Sequence, residues 1–208
     1  MIVVGLTVSI GMGKSNAAQV LRKLGVPVHD ADAAVHKLLG PGGRAVSKVG
    51  ELFPKALSGN RIDRKVLGDL VFGETPALRR LEGILHPLVR QSSRAFVAAA
   101  ARRHLAVVVL DIPLLYESRG EKSVDLVIVV SAPKTIQRQR VLARSGMTED
   151  KFRAILARQV PDVEKRRRAD YVVLTGGHRG ETYRQLQRIM ADLKHGAPRG
   201  RRRRRPGL

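Results

Sequence analysis

The stretch Met1-Ile2-Val3-Val4-Gly5-Leu6 is followed, after Thr7, by Val8-Ser9-Ile10-Gly11-Met12-Gly13-Lys14-Ser15. The order of the two decides the fold. The first is a short, apolar, β-branched run without polar alternation, which predicts a buried strand. The second is glycine-rich and closes on Lys-Ser. A helical pattern from about Lys14 to Leu24 follows, and Gly25 stops it. Strand, loop, helix is the context in which Gly-x-Gly-Lys-Ser works as a phosphate loop (P-loop). Successive backbone N–H groups at a helix N-terminus form an anion nest, and glycines let that backbone wrap close to phosphate oxygens. In this reading Gly11, Met12, Gly13 and Asn16 belong to the loop, Lys14 bridges the β and γ phosphates of a nucleotide, and Ser15 holds Mg²⁺. Val8 stands where the pattern asks for a first glycine. A β-branched residue resists positive φ and adds bulk where a loop begins its turn. The expectation is weakened nucleotide binding with the chemistry retained.

Outward from the loop, Val26 to Val28 begins a second strand, and residues 33–44 read as a helix ended by Gly40-Pro41-Gly42-Gly43. From Ala45 to about Ala101 the pattern is mostly helical, with breaks at Pro54, Ser58-Gly59-Asn60 and Pro76. Leu105 to Ile112, Val124 to Val130 and Ala169 to Leu174 are three further apolar strands. Helices are predicted at about 134–145, 148–159 and 181–193. Strands without alternation are buried on both faces, which means a parallel sheet covered by helices. The helical stretch between the second and third strands is too long for one crossover and reads as an inserted lobe. The expected fold is α/β: a three-layer P-loop fold with a five-stranded parallel sheet, an inserted helical lobe and a helical lid.

The composition excludes several classes. The chain has 208 residues, 43% of them hydrophobic, enough for a core at this length. It has no Cys, which removes disulfide scaffolds, thiol catalysis and Cys-based metal sites, and is compatible with a reducing cytoplasm. No apolar run is long enough to span a bilayer, and the N-terminus carries no charged leader, so neither membrane insertion nor a signal peptide is expected. The net charge of +21 would ordinarily point to a polyanion. However, aromatics are 3% of residues and Trp is absent, a poor supply for stacking on single strands. Six of the arginines, Arg199 and Arg201 to Arg205, sit in a segment, 196–208, expected to be disordered. A second basic cluster is Lys165-Arg166-Arg167-Arg168, and a third is Arg138, Arg140 and Arg144.

Five further stretches carry a resemblance. They are His29-Asp30-Ala31-Asp32-Ala33, His86-Pro87-Leu88-Val89-Arg90, Asp111-Ile112-Pro113-Leu114-Leu115-Tyr116-Glu117, Gln137 to Arg144, and Ala169-Asp170-Tyr171-Val172-Val173. In this order, over about residues 1–193, the chain resembles the dephospho-CoA kinase family. The family pattern has Gly at Val8 and usually Thr at Asn16. The resemblance implies a nucleotide-binding core (1–33, 102–137 and 169–195), a helical lobe for the CoA precursor (34–101) and a lid (138–168). It implies ATP and dephospho-CoA as substrates, Mg²⁺ as cofactor, and phosphorylation of the ribose 3′-hydroxyl in the last step of coenzyme A synthesis. No specific nucleic acid is expected as partner, and the oligomeric state is left open.

The resemblance places the acceptor hydroxyl at Asp32, whose carboxylate can take the hydroxyl proton; the alternative is a helix N-cap. Asp30 supports the turn or the metal's water shell. Arg140 and Arg144, four apart on a helix, would face the transferring phosphoryl group from the lid, or form a solvated basic face. Asp111 orders Mg²⁺ or serves as a turn residue. Pro113, Leu114 and Glu117 shape the acceptor cleft, Glu117 alternatively pairing with a buried cation. His86 and Arg90 lie on the acceptor side, Arg90 against a precursor phosphate, while His86 is otherwise a capping or core residue. Gly176-Gly177 admits adenine or is a plain turn. Two other readings stay open: another small-molecule P-loop kinase, acting on a nucleoside, nucleotide or sugar acid, and a nucleic-acid-binding P-loop protein.

Overall fold

A computed structural model describes residues 1–196. The expected tail falls, from residue 197 on, outside the described residues. The chain forms two compact units: Met1–His29 together with the chain from Ala100 on, and Asp30–Ala99.

In the first unit, β1 (Ile2–Val8) leads through the glycine-rich loop into α1 (Lys14–Lys23). The sheet is completed by β2 (Val28–Asp30) and by three strands introduced below. In the second unit come α2 (Ala31–Leu39), α3 (Val46–Leu52), a small antiparallel hairpin of β3 (Leu57–Ser58) and β4 (Arg61–Ile62), and α4 (Arg64–Val71). The long α5 (Thr75–Arg102) follows. The chain then makes β5 (Val107–Asp111), β6 (Leu126–Ser131), α6 (Lys134–Leu142), α7 (Glu149–Ala157), α8 (Asp162–Arg168), β7 (Tyr171–Leu174) and α9 (Arg179–Lys194).

The five strands run in the order β2-β5-β1-β6-β7. The central β1 is parallel to both neighbours, with Val4 opposite Val109 and Leu126. Every residue of β5 and β6 is buried, which explains why each is apolar up to its last residue, Asp111 in β5 and Ser131 in β6. On one face, Val4, Leu6, Val8, Ile128 and Val130 pack with Leu21 of α1 and Leu186 of α9. On the other, Val127 and Val129 pack with Leu115 and Tyr116. The second unit has its own core, built around Leu39, Val49, Phe53, Ile62, Leu67, Leu81 and Leu85.

The departures from expectation have local causes. The helix expected at 33–44 starts at Ala31 because Asp30 caps it, Oδ1 accepting from the Ala33 N–H at 3.0 Å, and it ends at Leu39 before Gly40. Within Ser58-Gly59-Asn60, Ser58 ends β3 and Gly59-Asn60 is the hairpin turn, with Gly59 in the left-handed region at φ 59°. Pro76 does not break a helix; it is the second residue of α5, where no intrahelical N–H bond is lost. Helix α8 has no apolar period to announce it. Its signals are electrical instead: Asp162 and Glu164 in the first turn, Lys165 to Arg168 in the last. Val8 closes β1 in register with Val130, 6% exposed and part of the core. A strand position favours a β-branched residue, so the backbone reason for expecting weak nucleotide binding falls away.

Candidate active site

The loop between β1 and α1 is shaped by two left-handed glycines, Gly11 at φ 77° and Gly13 at φ 89°. Each also touches something a side chain would strike. A Cβ on Gly11 would fall 2.4 Å from Val141 Cγ2, and one on Gly13 2.9 Å from Thr175 Oγ1. Gly13 is the N-cap of α1, with no side-chain cap bond, so the first turn of α1 keeps backbone N–H donors for an anion. Met12 is buried, Asn16 half-buried and Ser15 exposed.

Two cations flank this turn. Lys14, the first residue of α1, sets Nζ 3.0 Å from Oδ1 of Asp111, a carboxylate only 1% exposed at the C-terminal end of β5. Arg140 on α6 donates from Nη1 to Thr175 Oγ1 at 3.2 Å and from Nη2 to the Thr175 carbonyl at 2.6 Å. Thr175 in turn donates to the Met12 carbonyl at 2.7 Å. A chain of hydrogen bonds thus runs from the loop through the end of β7 to the guanidinium, whose Nη1 would lie 3.4 Å from a Cβ on Gly13. Thr175 escaped the sequence reading because a lone Thr after a strand carries no motif.

Other expected residues are placed as follows. Arg144 is exposed in the bend after α6, which ends at Leu142, so it does not share a helix face with Arg140. Arg138 points to Glu149 of α7, with Nη2 at 2.9 Å. Glu117 is the partner of a buried cation: Oε1 lies 2.8 Å from Nζ of Lys165, which is 0% exposed, and accepts from the Val160 N–H at 2.9 Å. Lys165 is therefore not a surface member of the basic run. Pro113 accepts at its carbonyl from Thr7 Oγ1 at 2.8 Å, and Leu114 is exposed. Gly176 follows β7 with the place of its Cβ taken by Pro133, Cδ at 2.5 Å, a packing reason for glycine there.

Within the second unit, Asp30 takes the N-cap role, and Asp32 lies exposed in the first turn of α2. His86 and Arg90 are exposed, one turn apart on α5, and Pro87 lies inside that helix.

Among the described residues no group of three or more His, Asp or Glu could hold a metal. Mg²⁺ does not require one. It binds through one or two hard oxygen ligands, substrate phosphates and water. The Ser15 hydroxyl and the Asp111 carboxylate are donors of that kind. No described helix is long and apolar enough to cross a membrane.

Comparisons with known proteins identify the family. The family model described as dephospho-CoA kinase matches residues 2–179. A dephospho-CoA kinase of Paramagnetospirillum magneticum is 56% identical over 79% of this chain and 77% of its own length. One of Novosphingobium aromaticivorans is 51% identical over 95% of this chain and 98% of its own. A crystal structure from Thermus thermophilus superposes with a TM-score of 0.77 at 36% identity, over 92% of this chain and 97% of that one. With the match extending from β1 to the start of α9, the chain belongs to the dephospho-CoA kinase family.

Proposed function

We propose that this enzyme transfers the γ-phosphoryl group of ATP to the ribose 3′-hydroxyl of dephospho-CoA, giving coenzyme A and ADP. The observation that carries the proposal is the pairing of an open helix N-terminus, capped by left-handed Gly13, with two fixed cations, Lys14 and Arg140. That set is built to hold a polyphosphate and to meet charge on a transferring phosphoryl group.

In this mechanism the N–H groups of the loop bind the β-phosphate and Lys14 spans the β and γ oxygens. The acceptor oxygen attacks phosphorus in line, a new P–O bond forms, and the bond to the β-γ bridging oxygen breaks. The hydroxyl proton passes to the Asp32 carboxylate. Asp32 suits this role because Asp30 already supplies the helix cap. Arg140 neutralises the equatorial oxygens, and residues 138–168 act as a lid, with Arg144 a further phosphate contact. His86, Arg90, Pro113 and Leu114 bind the CoA precursor. Gly176 borders the adenine. Glu117 orders the acceptor side through its bond to Val160. Ser15 and Asp111 would hold Mg²⁺, which supplies charge neutralisation at the phosphates when bound. In this reading the enzyme works in the cytoplasm.

The decisive experiment is a coupled ADP-release assay with dephospho-CoA, with and without Mg²⁺. Metal-dependent ADP release matched mole for mole by coenzyme A is the expected result. Turnover of a nucleoside or sugar acid in preference to dephospho-CoA would overturn the assignment. Salt-sensitive RNA or DNA binding would not rescue it.

A further inference from the structure

The phosphate loop starts where β1 ends at Val8, and buried backbone groups where the ladder stops must be satisfied elsewhere. Three side chains distant in sequence do so. Lys165 Nζ donates to the Val8 carbonyl at 3.0 Å. The Ile10 N–H donates to Gln159 Oε1 at 3.0 Å, and Gln137 Nε2 donates to the Ile10 carbonyl at 2.8 Å. They come from α8, the turn after α7, and α6 respectively. The framework behind them is also tied down. Glu117 Oε1 holds both Lys165 and the Val160 N–H, and Ser131 at the end of β6 donates to Asp162 Oδ2 in the first turn of α8 at 2.8 Å.

We propose that Gln159 and Lys165, with Gln137, are positioning residues for ATP: they fix the entry of the phosphate loop so that the amides from Gly11 onward form the anion nest. The Ile10 amide is committed to Gln159 and is not part of that nest. The segment expected to supply lid arginines thus has a second task, which is to hold the loop's shape from behind. A fully buried ammonium on a backbone carbonyl is otherwise a costly choice for packing alone.

The proposal rests on the phosphate-loop reading of residues 8–15. Failure of that reading would appear as no ATP binding by the parent chain. The test uses Gln159→Met and Lys165→Met, which keep side-chain length and remove the hydrogen bond. Gln159 is only half-buried, so its variant decides the matter if Lys165→Met does not fold. Steady-state kinetics should show the KM for ATP rising about fivefold or more per lost bond, with the KM for dephospho-CoA within about twofold. Amide exchange by NMR should show Ile10 losing protection in Gln159→Met. A KM for ATP unchanged while Tm falls, or both KM values rising together, would overturn the proposal and leave these residues as packing.

Discussion

The two compact units differ in how far they bury their candidate residues. In the unit with the sheet, three of them are fixed by other protein atoms: Lys14 by Asp111, Arg140 by Thr175, Glu117 by Lys165. In the unit spanning Asp30–Ala99, Asp32, His86 and Arg90 are exposed on helices that pack on a separate apolar core. The difference teaches where preorganisation is spent. Charge that must be in place before phosphoryl transfer is locked into the fold, where it needs no reorganisation during the reaction. The groups that the proposed mechanism assigns to the larger and more flexible acceptor are exposed. Substituting Lys14 should therefore move stability and activity together, and substituting Asp32 should move activity much more than stability.

Lys14→Ala is the largest expected effect. Turnover should fall about 10³-fold, as for loss of a main phosphate clamp. Thermal unfolding should show a lower Tm as well, because an ammonium leaves the side of a 1%-exposed carboxylate. A normal Tm would break the comparison on its locked side. Asp32→Asn probes the other side. It should lower kcat by about 10²-fold, the usual scale of general-base catalysis, with a much smaller change in Tm than Lys14→Ala because Asp30 still caps α2. Near-normal kcat would remove Asp32 as the base; a large fall in Tm would make it structural.

The same contrast is compressed into one basic run. Lys165 is 0% exposed beside Glu117, whereas Arg167, two residues on, is 78% exposed beside Glu164. Lys165→Met should cost about 3–5 kcal/mol, because it leaves Glu117 without its buried counter-charge. Arg167→Met should cost at most about 0.5 kcal/mol, as exposed pairs do. Urea titrations of both variants measure the gap, and equal midpoints would contradict the burial.

Lys165 also shows what the sequence could and could not tell. The parallel sheet was legible because strands buried on both faces lose their alternation, as in Val107 to Asp111. The phosphate loop was legible because its chemistry is written in consecutive residues, Gly11 to Ser15. The support for that loop was not. Gln137, Gln159, Lys165 and Thr175 reach it from well over a hundred residues away, and only folding brings them there. In the run 165–168, like charges look alike; burial of the first depends on Glu117 and the Val8 carbonyl, which spacing cannot reveal.

Val8 is the smallest expected effect on activity and the sharpest test of the loop. Its backbone is strand, its side chain lies in the core, and its carbonyl takes the Lys165 bond whatever the side chain is. Val8→Gly should therefore leave the KM for ATP within about twofold. It should destabilise the protein by about 2–3 kcal/mol, from lost apolar burial and the added freedom of glycine in the unfolded chain. A several-fold fall in KM would mean that the valine does hinder the phosphates and that strand geometry at Val8 is not what the nucleotide-bound loop requires. An unchanged KM with reduced stability would mean that this loop, which turns only after the strand has ended at Val8, does not need the first glycine of the motif.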